Sequence, residues 1–112
     1  MVDIEIIRKI KVSNHARTRL QERGIDIVEI IRIVNMPIDT ITYHDGDDEI
    51  HKVYGKAIDP YTKKSKYLMI IYKKLDKPDD RDNSILLITA LWISRGGLEK
   101  YGFTQTNISD NL

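Results

Sequence analysis

The stretch Ser13-Asn14-His15-Ala16-Arg17-Thr18-Arg19-Leu20-Gln21-Glu22-Arg23-Gly24-Ile25-Asp26 carries two helix boundaries and the densest polar chemistry of the chain. Ser13 is suited to cap a helix start by accepting from amides that the first turn leaves unpaired, and Gly24 to end the helix in the left-handed conformation. A helix of about three turns fits between them. Ala16 and Leu20 give it a narrow apolar stripe, while His15, Arg19 and Arg23 recur every four residues beside that stripe. One imidazole and two guanidinium groups are therefore expected along one edge. Asp26 offers a second N-cap, with Glu29 placed to complete a capping box and Ile25 to act as a hydrophobic staple. The second helix should run to about Asn35, ahead of Pro37. Ile27, Ile30, Ile31 and Val34 follow the helical repeat, and Val28 and Ile33 widen the stripe until only Asp26, Glu29, Arg32 and Asn35 are left for water. A DNA-binding helix-turn-helix needs a polar second helix to meet base edges, and here the second helix is the apolar one.

With 112 residues the chain can bury the core of one domain but not of two. Its net charge of +1 lacks the broad basic footprint of a nucleic-acid-binding surface, so phosphate contacts would have to come from local clusters. Residues 1–24 hold six Lys or Arg against three acids, and residues 61–77 hold six Lys against one. The absence of cysteine excludes disulfides, thiolate metal sites and cysteine nucleophiles. No leader-like start and no membrane-length apolar run is visible, so the expectation is a soluble cytoplasmic protein with no membrane partner.

Outward from the helices, residues 4–12 alternate well enough for a half-exposed strand. Residues 40–43 are a short strand, 44–48 an Asp-Gly turn, and 49–58 its hairpin partner, with Ile50, Tyr54 and Ile58 on one face and His51, Val53, Gly55 and Ala57 on the other. Residues 66–75 form a strong strand and 76–83 a charged loop. Residues 84–94 are apolar on both faces, as suits the middle of a sheet. Residues 98–103 are compatible with one short helical turn, and 104–112 read as a flexible polar tail after a single domain of 1–103. The predicted class is α+β: an N-terminal strand and two helices packed on a four-stranded, mainly antiparallel sheet.

His15, in the first turn of its helix beside Arg19, is placed to stay neutral and act as a general base; the alternative is a histidine packed on the sheet and bonded to a backbone carbonyl. Arg19 and Arg23 are spaced to grip one phosphate, or else form a solvated edge with Glu22 as partner. A nuclease working without metal needs a base for the ribose 2′-hydroxyl, an acid for the leaving oxygen and a cation for the phosphorane. These could come from His15, His51 or Tyr72 and from Arg19, Arg23 or Arg95, with Thr89 alongside. Tyr54, Tyr72 and Thr89 read equally as strand residues, and Lys63, Lys64 and Lys66 as a solvated turn. The three histidines lack a metal-ligand spacing, and Asp45, Asp47, Asp48 and Glu49 lack the rest of a calcium loop. No metal and no cofactor is expected.

The run His15-Ala16-x-x-Arg19-x-x-x-Arg23-Gly24-Ile25, followed by a helix, a proline and later the strand Leu87-Ile88-Thr89-Ala90, resembles a family of small bacterial and archaeal domains similar to the RelE, ParE and BrnT toxins. The likeness spans about residues 10 to 94, and Ile93-Ser94-Arg95 with Glu99-Lys100-Tyr101 is similar to the late arginine and helix of BrnT. It implies a helix-plus-antiparallel-sheet fold and a metal-independent ribonuclease acting on RNA. It further implies a catalytic site at His15, Arg19, Arg23 and Arg95 lined by Thr89, and a cognate antitoxin as partner, while His51 and Tyr72 join Thr89 as candidate substrate-binding residues from their strand positions alone. The alternatives are a non-catalytic domain of the same fold that binds protein or nucleic acid, and a homodimer paired through a sheet edge.

Overall fold

The computed structural model describes residues 9–77 and 83–103. Its elements are β1 (Ile10–Lys11), α1 (Asn14–Glu22), α2 (Ile27–Asn35), β2 (Asp39–Asp45), β3 (Asp48–Ile58), β4 (Ser65–Lys74), β5 (Ile85–Ile93) and α3 (Arg95–Lys100). The strands form one mixed sheet in the order β1-β5-β4-β3-β2. The α+β class therefore stands, but the sheet has five strands, not four. The first strand does not stay apart from the others: it pairs parallel with the last, Ile10 opposite Ile85 and Lys11 opposite Leu86, and the Lys9 carbonyl accepts from Ser84 N–H at 3.0 Å. Of the strand expected over residues 4–12, residues 4–8 lie outside the described residues, as does the tail 104–112.

Antiparallel hairpins build the remainder. Gly46 takes φ +63° in the two-residue turn between Asp45 and Asp48, a conformation that costs glycine nothing. The alternation read from residues 49–58 places Val53 and Ala57 under the helices and Tyr54 on the opposite face. Gly55 allows α2 to approach β3, since a Cβ there would lie 2.9 Å from Ile33 Cγ1. β5 is not central, although apolar on both faces. One face is covered because Leu87 and Ala90 pack with Ala16 and Leu20, and the other because Ile93 packs with Leu98 and Phe103. The second cover is α3, whose start at Arg95 is capped by Ser94 Oγ accepting from Gly97 N–H at 3.2 Å. It begins earlier than the turn expected at residue 98.

The α2 helix departs from expectation in two details. Asp26 caps it, accepting from Val28 N–H at 3.0 Å, but the Glu29 carboxylate turns to Arg32 instead of the Asp26 amide. Ile30, Ile33 and Val34 are buried, whereas Val28 is 63% and Ile31 38% exposed. A short helix lying on a flat sheet buries one stripe, so an apolar stripe wider than the contact stays in water.

Candidate functional site

The end of α1 sets the site. Gly24, at φ +66°, lets Ile25 N–H donate to the Leu20 carbonyl at 2.9 Å while Gly24 N–H donates to Gln21 at 3.2 Å. These two bonds close the helix with a left-handed residue, and Ile25 and Leu20 both enter the core. The turn fixes Arg23 over the β5 edge beyond the end of β1. Its Nη1 donates to Ala90 O at 2.8 Å and to Thr89 Oγ1 at 3.1 Å, and its own carbonyl accepts from Trp92 Nε1–H at 2.8 Å. A guanidinium thus supplies the donor that a neighbouring strand would have given this edge.

An irregularity in β5 aims Thr89 at this place. Tyr72 pairs with Leu87 but Ile71 with Thr89, so Ile88 is an extra residue in the ladder. The insertion shifts the alternation. Leu87, Ala90 and Trp92 all pack toward the helical side, and Thr89 lies where Arg23 meets it.

Between α1 and this stretch lies a hollow of about 170 Å³ lined by His15, Arg19, Leu87, Thr89 and Ala90. The His15 and Arg19 side chains are exposed, and neither has a hydrogen-bond or carboxylate partner among the described residues. The expected Arg19–Glu22 pair does not form, nor does His15 bond to a backbone carbonyl. The edge read from the four-residue spacing is thus a real surface for His15 and Arg19. Arg23 stands behind it, bonded to the sheet.

The other sequence-selected residues lie elsewhere. His51 pairs with Tyr72 in register, and their rings stack at 4.9 Å with planes 1° apart. The imidazole bonds Glu49 Oε2 through Nε2 at 2.6 Å and Thr42 Oγ1 through Nδ1 at 3.2 Å. The Thr42 hydroxyl meets Nδ1 on one side of the ring, and on the other side the Nε2–H donates to the Glu49 carboxylate. That hydrogen bond, helped by the Lys74 charge, holds Glu49 below the usual carboxylate range. His51 and Tyr72 line a separate hollow of about 310 Å³ with Asn35 and Thr42 at the end of α2. Arg95 lines a third, of about 740 Å³, at the ends of β4 and β5. The seven residues expected to gather at one place are therefore distributed over three. Local helical spacing grouped the first ones, while the positions of His51, Tyr72 and Arg95 depend on strand register.

Two residues of the third hollow, Lys56 and Trp92, had not been singled out from the sequence. A lone tryptophan at the end of an apolar strand was the available signal. Asp59 is also unforeseen as a buried acid, 5% exposed, accepting from Lys66 Nζ at 2.6 Å and Tyr61 N–H at 2.8 Å. The Lys66 bond comes first among the contacts that hold its carboxyl below the usual range. Among the described residues no three His, Asp or Glu side chains converge as metal ligands would, and no helix is long and apolar enough to cross a membrane.

No curated protein and no solved structure matches the chain. Residues 12–92 match a family described as a domain of unknown function, DUF4258, and this span runs from the residue before the Ser13 cap through the indole that bonds Arg23. The chain belongs to the DUF4258 family.

Proposed function

We propose that this domain is a toxin-like, metal-independent ribonuclease that cleaves RNA at the hollow between α1 and β5. The observation that carries the reading is that the His15 imidazole and the Arg19 guanidinium line one open hollow without protein partners, beside the Thr89 hydroxyl. In the reaction His15 removes the proton of a ribose 2′-hydroxyl, whose oxygen attacks the adjacent phosphorus. The bond to the 5′-oxygen breaks, and that oxygen takes a proton from water. Arg19 holds the phosphorane oxygens through paired N–H donors. Thr89, already accepting from Arg23, has its own O–H to donate to the phosphate. His51, Tyr72 and Arg95, in other hollows, take no part in this step.

A general base contributes about 10²–10⁴-fold in rate, so His15→Ala should lower cleavage of single-stranded RNA by that order while leaving the fold intact. Cleavage is followed on end-labelled RNA, with and without ribosomes, because toxin-like domains differ in that need. RNA left intact by the unaltered protein under both conditions would defeat the enzyme reading. The modest size of the hollow, about 170 Å³, favours one second reading, a phosphate-holding domain that binds nucleic acid without cutting it. Retained, salt-sensitive RNA binding in the absence of any cleavage identifies that case. The toxin-like reading also carries a cytoplasmic site of action and a cognate antitoxin as partner.

A further inference from the structure

On the helical side of the sheet, β2, β3 and β4 bring Thr42, His51 and Tyr72 into one row, since Thr42 pairs with His51 and His51 with Tyr72. Glu49, two residues along β3 from His51, shares their face. The side chains are bonded in line: Thr42 Oγ1 lies 3.2 Å from His51 Nδ1, and His51 Nε2 lies 2.6 Å from Glu49 Oε2. The Glu49 carboxylate accepts from Nε2–H, so in the neutral ring the Nδ1 lone pair meets the Thr42 hydroxyl. The Tyr72 ring, 2% exposed, stacks on the imidazole and holds its plane. The His51 side chain is 13% exposed, whereas Thr42 is open to solvent. A hydroxyl bonded to an imidazole that a carboxylate orients is the arrangement by which a weak nucleophile is activated. Thr42 faces the hollow of about 310 Å³ at the end of α2, where Val34 and Pro37 give an apolar wall. Among the described residues no Lys, Arg, Asp or Glu side chain lines this hollow, which suits a small uncharged ligand better than a phosphate. The Thr40 hydroxyl lines it too and has no hydrogen-bond partner among the described residues, which leaves its O–H for a carbonyl oxygen.

We infer that Thr42 is an acyl-accepting nucleophile for small uncharged esters, with His51 as its base and Glu49 as the residue that positions the imidazole. This site is separate from the hollow of His15 and Arg19 and does not rest on the ribonuclease reading. Thr42 Oγ1 bonds to the ester carbonyl carbon while its proton passes to His51 Nδ1. Thr40 donates to the carbonyl oxygen as it gains charge. The bond to the leaving oxygen then breaks, and that oxygen takes the proton from Nδ1, giving an alcohol and an acyl ester on Thr42. Water, deprotonated by the same nitrogen, attacks that ester, releases the carboxylic acid and restores the threonine hydroxyl.

The full chain is incubated with 4-nitrophenyl acetate, release of 4-nitrophenolate is followed by absorbance, and acid-quenched samples are mapped by peptide mass spectrometry. Release should saturate with ester concentration, and an acetyl group should be found on Thr42. Thr42→Val, a substitution that an exposed strand position accepts, should lower the saturable release at least tenfold and remove that acetyl group, with far-ultraviolet circular dichroism unchanged. Thr42→Ser, which keeps the hydroxyl, should retain both. His51→Gln should slow the reaction by about 10²-fold or more, the share of a general base. Glu49→Gln should lower the acylation rate about tenfold and leave the ester concentration at half-maximal rate where it was, as befits a residue that positions the base without touching the ester. Acetyl groups confined to lysines, or release at the unaltered rate from Thr42→Val, would mean that the Thr42–His51 bond only pairs strands, and would overturn the inference.

Discussion

Replacing Arg23 by methionine keeps the apolar stem and removes the guanidinium, which tests whether this side chain ties α1 to the sheet. The lost contacts are a bond to the Ala90 carbonyl at 2.8 Å and one to the Thr89 hydroxyl at 3.1 Å. Hydrogen bonds from a charged donor contribute about 1.5–3 kcal/mol when well enclosed, and Arg23 is half-buried, so the carbonyl bond is placed at about 1.5 kcal/mol and the hydroxyl bond at about 1 kcal/mol. Arg23→Met should therefore cost about 2.5 kcal/mol and Thr89→Val about 1 kcal/mol. Because the hydroxyl bond is lost only once, the double variant should cost about 2.5 kcal/mol, a coupling of about 1 kcal/mol. Urea unfolding followed by Trp92 emission and far-ultraviolet circular dichroism supplies the three values. A loss below about 0.5 kcal/mol for Arg23→Met, or strict additivity with Thr89→Val, would refute the tie.

Two glycines should respond unequally to alanine. At Gly24 the added methyl would lie 2.5 Å from Tyr61 Cε2, but that ring is 74% exposed and can turn aside, leaving the left-handed backbone to cost about 1–2 kcal/mol. At Gly55 the methyl meets the fully buried Ile33 at 2.9 Å, and overpacking there should cost about 1–3 kcal/mol with Ile33→Val relieving part of it; chemical denaturation measures both. Acid should weaken the fold through Asp59 and Glu49, whose folded-state carboxyls are held low by Lys66 and His51. Their contribution is complete above the unfolded range near about pH 4 and is lost as pH falls through the lower folded values, so Asp59→Asn should flatten the acid limb of a stability-against-pH curve.

What the sequence disclosed follows the range of the interactions involved. Ser13, Gly24 and Asp26 act on amides within a few residues, so the two helices and their boundaries were legible. The same holds for the faces of β3, which follow from alternation alone. The pairing of Ile10 with Ile85 joins the first strand to the last, and no local pattern encodes it. Nor does composition announce the extra residue at Ile88, which decides where Thr89 points. His15 and Arg19 were legible as neighbours because they lie one helical turn apart. The separation of Arg95 from them was not, since it depends on how far β5 runs past α1 before the chain turns.

Arg23 is the point at which these ranges meet. Its position comes from a helix end that Gly24 permits, its guanidinium occupies an edge that β1 is too short to cover, and its carbonyl holds the indole of the largest hollow. Conformational freedom at Gly24 is thus coupled to the hollow of His15 and Arg19 and to the seating of Trp92, without Gly24 lining either hollow. A longer β1 would pair the Ala90 carbonyl directly and leave Arg23 without that acceptor. The shortness of β1 is on this view a condition of the site: it leaves the β5 edge open where α1 crosses, so that His15, Arg19 and Thr89 share one solvent-facing hollow.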